Sequence, residues 1–61
     1  MNNLNIGDII KAPSGDNVEI LEFKDSIVIV YQLDSNCDRI TIEGINGKKF
    51  LKGIITLSKL V

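Results

Sequence analysis

The sequence contains no histidine and no tryptophan, and only one cysteine, one proline and one arginine in 61 residues. Each shortage closes a route. Without histidine there is no imidazole to serve as base or metal ligand. Cys37 alone makes neither an internal disulfide nor a structural zinc site. A catalytic thiol needs a base or a positive field, whereas Cys37 lies between Asn36 and Asp38. An inert thiol in a reducing compartment is the expectation. No apolar stretch approaches the length of a membrane span, the longest being Ile27 to Tyr31. Met1 to Asn5 has neither a basic region nor a signal-like apolar run. The expected location is the cytoplasm, with no membrane contact.

Aromatic residues are scarce too, namely Phe23, Tyr31 and Phe50. The core must therefore be aliphatic. Eleven isoleucines, six leucines and four valines supply it, and β-branched side chains of this kind favour strands. The length leaves room for one domain, 1–61, with a thin margin of stability.

Turn formers cut the chain into short segments. Gly7-Asp8 leads into a first strand at Ile9–Ala12, and Pro13 to Asn17 is a loop. Alternation from Val18 to Phe23 slips by one residue near Ile20-Leu21, which predicts a β-bulge or bend. Lys24-Asp25-Ser26 makes a short break. Ile27 to Tyr31 lacks polar alternation, so both of its faces should be covered. Arg39 to Glu43 alternates cleanly. Asn46-Gly47 is the strongest hairpin signal, a type I′ turn with positive φ at both residues. Lys48 to Ile55 returns as one strand, with Gly53 predicted as a bulge or kink. Thr56 to Lys59 fits one helical turn. Val18, Ile20, Ile29, Ile40, Ile42, Phe50 and Ile55 are the expected core.

Five short strands with tight turns predict an all-β fold, a small, partly open five-stranded barrel with one C-terminal helical turn. Ile6-Gly7-Asp8-Ile9-Ile10 resembles the first strand of SH3-like barrels, Tudor and KOW modules included. Phe50-Leu51 through Leu57-Ser58-Lys59-Leu60-Val61 resembles the way such domains end. The resemblance implies an SH3-like barrel. It also lacks the proline-peptide signature of signalling SH3 domains and the aromatic cage of Tudor domains. Free-standing barrels of this size are similar to small accessory proteins of phages and mobile elements, which act by occupying a host protein and modulating or inhibiting it.

No candidate chemistry emerges. Asp34, Asn36 and Asp38 match the start of a calcium loop, but Arg39 and Ile45 stand where that loop requires glycine and glutamate. Asp16, Glu19, Glu22 and Asp25 have no pocket in view. The expectation is a protein without enzymatic activity, cofactor or metal. Charge is the more informative feature. Residues 1–47 carry three cations against eight acids, a net of −5, whereas Lys48, Lys49, Lys52 and Lys59 give the remainder +4. Neutralisation across neighbouring strands is the plain expectation; a binding surface formed by these four lysines is the functional one. The first reading of function is a protein-binding module. The second is nucleic-acid binding, with lysines on phosphates around Phe50.

Self-association is the one remaining staple for a domain this small. Val28 and Val30 form one face of 27–31, and Ile27, Ile29 and Tyr31 the other. A symmetric homodimer seam using Val28, Val30 and Tyr31 would cover the outward strip. The competing expectation is that 54–61 folds over it.

Overall fold

A computed structural model describes residues 4–60. The chain is mostly β. Its strands are β1 (Ile9–Lys11), β2 (Asn17–Lys24), β3 (Ile27–Gln32), β4 (Thr41–Gly44), β5 (Gly47–Phe50) and β6 (Lys52–Thr56), followed by a 3₁₀ turn at Leu57–Lys59. An antiparallel sheet runs in the order β1-β2-β3-β6, and β4 and β5 pair only with each other.

The sheets do not close into the expected barrel. β1 and β6 are the two outer strands and do not pair. Nor are there five strands. The segment expected as one strand from Lys48 to Ile55 changes partner at Leu51. There the Leu51 N–H donates to the Ile40 carbonyl, and the Leu51 carbonyl accepts from the Gln32 N–H, both at 2.8 Å. Ile40 N–H in turn donates to the Gln32 carbonyl at 3.0 Å. This junction sends β4 and β5 out as an arm and returns β6 to the sheet.

The slip in β2 is a true irregularity, since the β2–β3 register shifts between Ile20 and Glu22. One extra residue, Leu21, turns the alternation over. The β2–β3 hairpin closes on Asp25-Ser26, where Asp25 adopts a φ of 55°, a conformation aspartate tolerates. Gly53 forms no bulge. It pairs with Val30 in an even register, and a Cβ there would collide with the Gln32 amide group.

The inner face of the sheet holds the core. Val18, Ile20, Val28 and Val30 are fully buried, with Ala12 and Leu33 close to it. Leu4, Ile10, Ile55, Leu57 and Leu60 pack against this cluster. Val28 and Val30, expected on a dimer seam, are thus 0% exposed within the protomer. Leu4 and Ile10 as well as Ile55, Leu57 and Leu60 of the C-terminal segment pack against their cluster, and only Tyr31 of the three seam residues remains accessible. Ile29, Ile40 and Ile55 are half-buried. Ile42 and Phe50, expected in the core, are 45% and 43% exposed, because the arm that carries them leaves the sheet.

Candidate functional site

Residues directly opposite each other on neighbouring strands share a face of the sheet. Ile9, Glu19, Tyr31 and Lys52 are successive partners across β1, β2, β3 and β6, and Glu22, Ile29 and Ile54 form a second row. This outer face is graded, from carboxylates on β2 through Ile29 and Tyr31 on β3 to Lys52 and Ile54 on β6.

Arg39 sits at the root of the arm and reaches back onto this face. Its Nε and Nη2 donate to the two carboxylate oxygens of Glu19, each at 2.9 Å. The guanidinium carbon lies 4.5 Å from the centre of the Tyr31 ring and 5.0 Å from that of Phe50. The two rings meet edge to face, 5.3 Å apart at 69°. Hydrogen bonding to Arg39, against a desolvation cost, holds the Glu19 carboxyl below its ordinary value, and the same bond holds Arg39 protonated more firmly than usual. Arg39 thus fixes the arm to the sheet by a forked ion pair and by cation–π contact.

A shallow cleft of about 430 Å³ lies beside this cluster, lined by Tyr31, Ile42, Lys48, Lys49, Phe50 and Lys52. Three of the four lysines singled out in the sequence meet here. Lys59 does not; it lies on the 3₁₀ turn, near Leu4, Ile10, Lys11 and Pro13. One acid does stand across a strand from a lysine, Glu43 opposite Lys48 on the arm. Among the described residues the single close ion pair is Glu19–Arg39, and Lys48, Lys49, Lys52 and Lys59 make none. Lys52 Nζ lies 6.0 Å from the centre of the Tyr31 ring.

All ten residues from Thr41 to Phe50 are exposed. Gly44 and Gly47 pair at the end of the arm, leaving Ile45 and Asn46 as the turn residues. The expected Asn46-Gly47 type I′ turn is therefore displaced by one residue. Gly47 has the positive φ, 110°, and Asn46 does not. Glycine at 44 is needed for another reason, since a Cβ there would stand 2.9 Å from the Gly47 carbonyl oxygen. The displacement puts Ile45 at the tip, fully exposed at 102%. Reasoning from sequence passed over Ile45, Ile54 and Arg39. Ile45 had a signal, an isoleucine between two glycines where turns are ordinarily polar.

In the loop after β3, Asp34 Oδ1 accepts from the Asn36 and Asp38 amides. This is a local turn, and Cys37 in it is exposed with a φ of 63°. No helix among the described residues is long and apolar enough to cross a membrane. Set against protein-family models, curated proteins and solved structures, the chain matches none.

Proposed function

We propose that this chain is a non-enzymatic protein-binding module whose docking surface is the β4–β5 arm and the cleft at its root. The observation that carries this is Ile45 at the tip, with Ile42 and Phe50 also exposed along the arm. Phe50 packs on Tyr31 and Arg39 at the arm's root, but Ile42 and Ile45 join no core cluster and are explained by a partner. Aromatic residues beside cations form the kind of anchor that interfaces favour. We also read the strand and 3₁₀ order as an opened SH3-like layout, supported by the bulged second strand and the terminal turn. Binding alone would then modulate the partner.

Nucleic-acid binding is the second reading, favoured by Lys48, Lys49 and Lys52 around Tyr31 and Phe50. It is weaker because Arg39 already lies against both rings, where a base would stack. Affinity capture from lysate of the producing cells, with and without nuclease, separates the two. The expected result is a captured protein that survives nuclease and is lost with Ile45→Glu. Capture that disappears with nuclease would overturn the protein-binding reading.

A further inference from the structure

The free edge of β6 is a built row of hydrogen-bonding groups. Gln32 N–H donates to the Leu51 carbonyl and Leu57 N–H to the Ser26 carbonyl, in step with the register Ile27↔Thr56 to Tyr31↔Lys52. Antiparallel pairs alternate between bonded and non-bonded. Leu51, Gly53, Ile55 and Leu57 therefore turn their backbone groups toward β3, and Lys52, Ile54 and Thr56 turn theirs outward. Among the described residues no strand pairs with this edge, although the Thr56 carbonyl, as the cap of the 3₁₀ turn, is taken up by that turn; the edge therefore offers both groups of Lys52 and Ile54 and the N–H of Thr56.

Natural sheets guard such an edge with proline, a bulge or several charges. β6 has no proline, an even register and one charge, Lys52. Ile54, 69% exposed, stands at its middle. β1 is a poorer edge, three residues long with Pro13 two residues beyond it.

We propose that the β6 edge receives an extended, acidic segment of a partner protein as an added strand. This rests on the protein-binding reading and names the chemistry of the partner. Outward donors and acceptors at every second residue fit an extended chain and not a helix. The charge is specified by what borders the edge. At its Lys52 end lies the cleft with Lys48 and Lys49. Along Ile54 to Thr56 runs a trough of about 280 Å³ whose one charged lining residue is Lys59. Neither lining includes a carboxylate, and none of these lysines makes a close ion pair, although Lys48 stands opposite Glu43 on the arm. Because successive side chains of a strand point to opposite faces, an alternating strand would set its acidic side chains on the outer face with Lys52 and its apolar ones on the inner face, where Ala12, Pro13 and Ile55 line the trough.

The probe is a fluorescein-labelled nine-residue peptide of alternating glutamate and valine. Its controls are a lysine–valine counterpart and the acidic peptide N-methylated at every second backbone nitrogen. The acidic peptide is expected to bind, more weakly as salt is raised, and to lose at least about tenfold in affinity on N-methylation. Amide exchange at Lys52, Ile54 and Thr56 should slow when it binds, while Gly53 and Ile55 stay as they were. Lys52→Glu/Lys59→Glu should weaken the acidic peptide and strengthen the lysine–valine one. Any of three results overturns the proposal: no binding of the acidic peptide, equal binding of the N-methylated or basic peptide, or protection of Lys52, Ile54 and Thr56 without peptide that grows with protein concentration. The last would assign the edge to a second copy. Ile45→Glu keeps the two readings apart, because it should abolish capture from lysate and leave peptide binding unchanged. Capture that persists while the peptide fails would remove this inference alone.

Discussion

Ile20 and Ile42 are identical side chains in strands, yet their truncation should cost very different amounts. Ile20 is 1% exposed in the closed cluster of the inner face, whereas Ile42 is on the arm with no core behind it. Ile20→Ala should lose about 2–5 kcal/mol, out of a total of roughly 3–9 kcal/mol for a chain of this length. At about 4–8 °C per kcal/mol, the variant should melt well below the wild type or fail to fold. Ile42→Ala should melt within a few degrees of it, and circular dichroism melts of both check the contrast. The Glu19–Arg39 pair gives a second expectation. Glu19 is held below its ordinary value of 4.5 by the Arg39 hydrogen bonds. Its contribution is fully present above the unfolded value and is lost as pH falls through the lower folded value. Glu19→Gln should therefore be less stable than wild type at neutral pH, and the difference should shrink at an acid pH, as the pH falls through the lowered folded value. Denaturant titrations at the two pH values read this directly. Arg39 and Glu19 are twenty positions apart, and no local pattern in the sequence pairs them.

The arm behaves as an element of its own. It joins the sheet through the junction at Gln32, Ile40 and Leu51 and through Arg39, and beyond that β4 and β5 pair with each other alone. Opening it exposes little that is not already exposed, so it should exchange amide protons by local opening, well before β2 and β3 do. Gly47→Val tests this. A Cβ at 47 meets nothing within 4 Å, so the cost is conformational, roughly 1–2 kcal/mol for a positive φ. Exchange across 41–50 should accelerate by about tenfold, with the main melting transition almost unmoved. A fall in global melting temperature matching that cost would mean the arm is part of the cooperative core. Much at this scale was legible. The Ile20-Leu21 slip, the apolar Ile27–Tyr31 strand, a hairpin near Asn46-Gly47 and the turn after Thr56 all follow from local residue order. Alternation reports that one face of a strand is apolar, but not whether anything packs against it. That is why Ile42 and Phe50 looked like core. The change of partner at Leu51 depends on hydrogen bonds to Gln32 and Ile40 far along the chain, and the apolar tip and free edge follow from it.

At the scale of the whole molecule the chain is elongated, 39 × 25 × 18 Å, and its charge is sorted along the sheet. The body carries most of the acids, and the arm root and β6 carry unpaired lysines. A net of −5 over residues 1–47 works against a phosphate backbone. No measurable binding to generic single- or double-stranded DNA is expected near physiological salt. Micromolar affinity in a gel shift, lost with Lys48→Glu/Lys49→Glu, would raise the nucleic-acid reading above protein binding. Oligomeric state turns on the same geometry. The case for a dimer began with one face of Ile27–Tyr31 lacking cover. Val28 and Val30 are fully buried in the cluster against which Leu4, Ile10, Ile55, Leu57 and Leu60 pack, so that face asks for no second subunit. The opposite face keeps Ile29 half-buried between β2 and β6 and sets Tyr31 against Phe50 and Arg39. What stays bare on that face is Ile9 on β1 and Ile54 on β6, the latter beside the unpaired β6 edge. A symmetric pairing of that edge with its copy would set the two Lys52 side chains on neighbouring strands, with Thr56 and Ile54 and no carboxylate on β6 to offset them. Sedimentation equilibrium at micromolar concentration should thus find a single species near 6.7 kDa. A dimer that dissociated on Ile54→Glu would show that the edge pairs with its own copy, and the acidic partner strand would then have no place to bind.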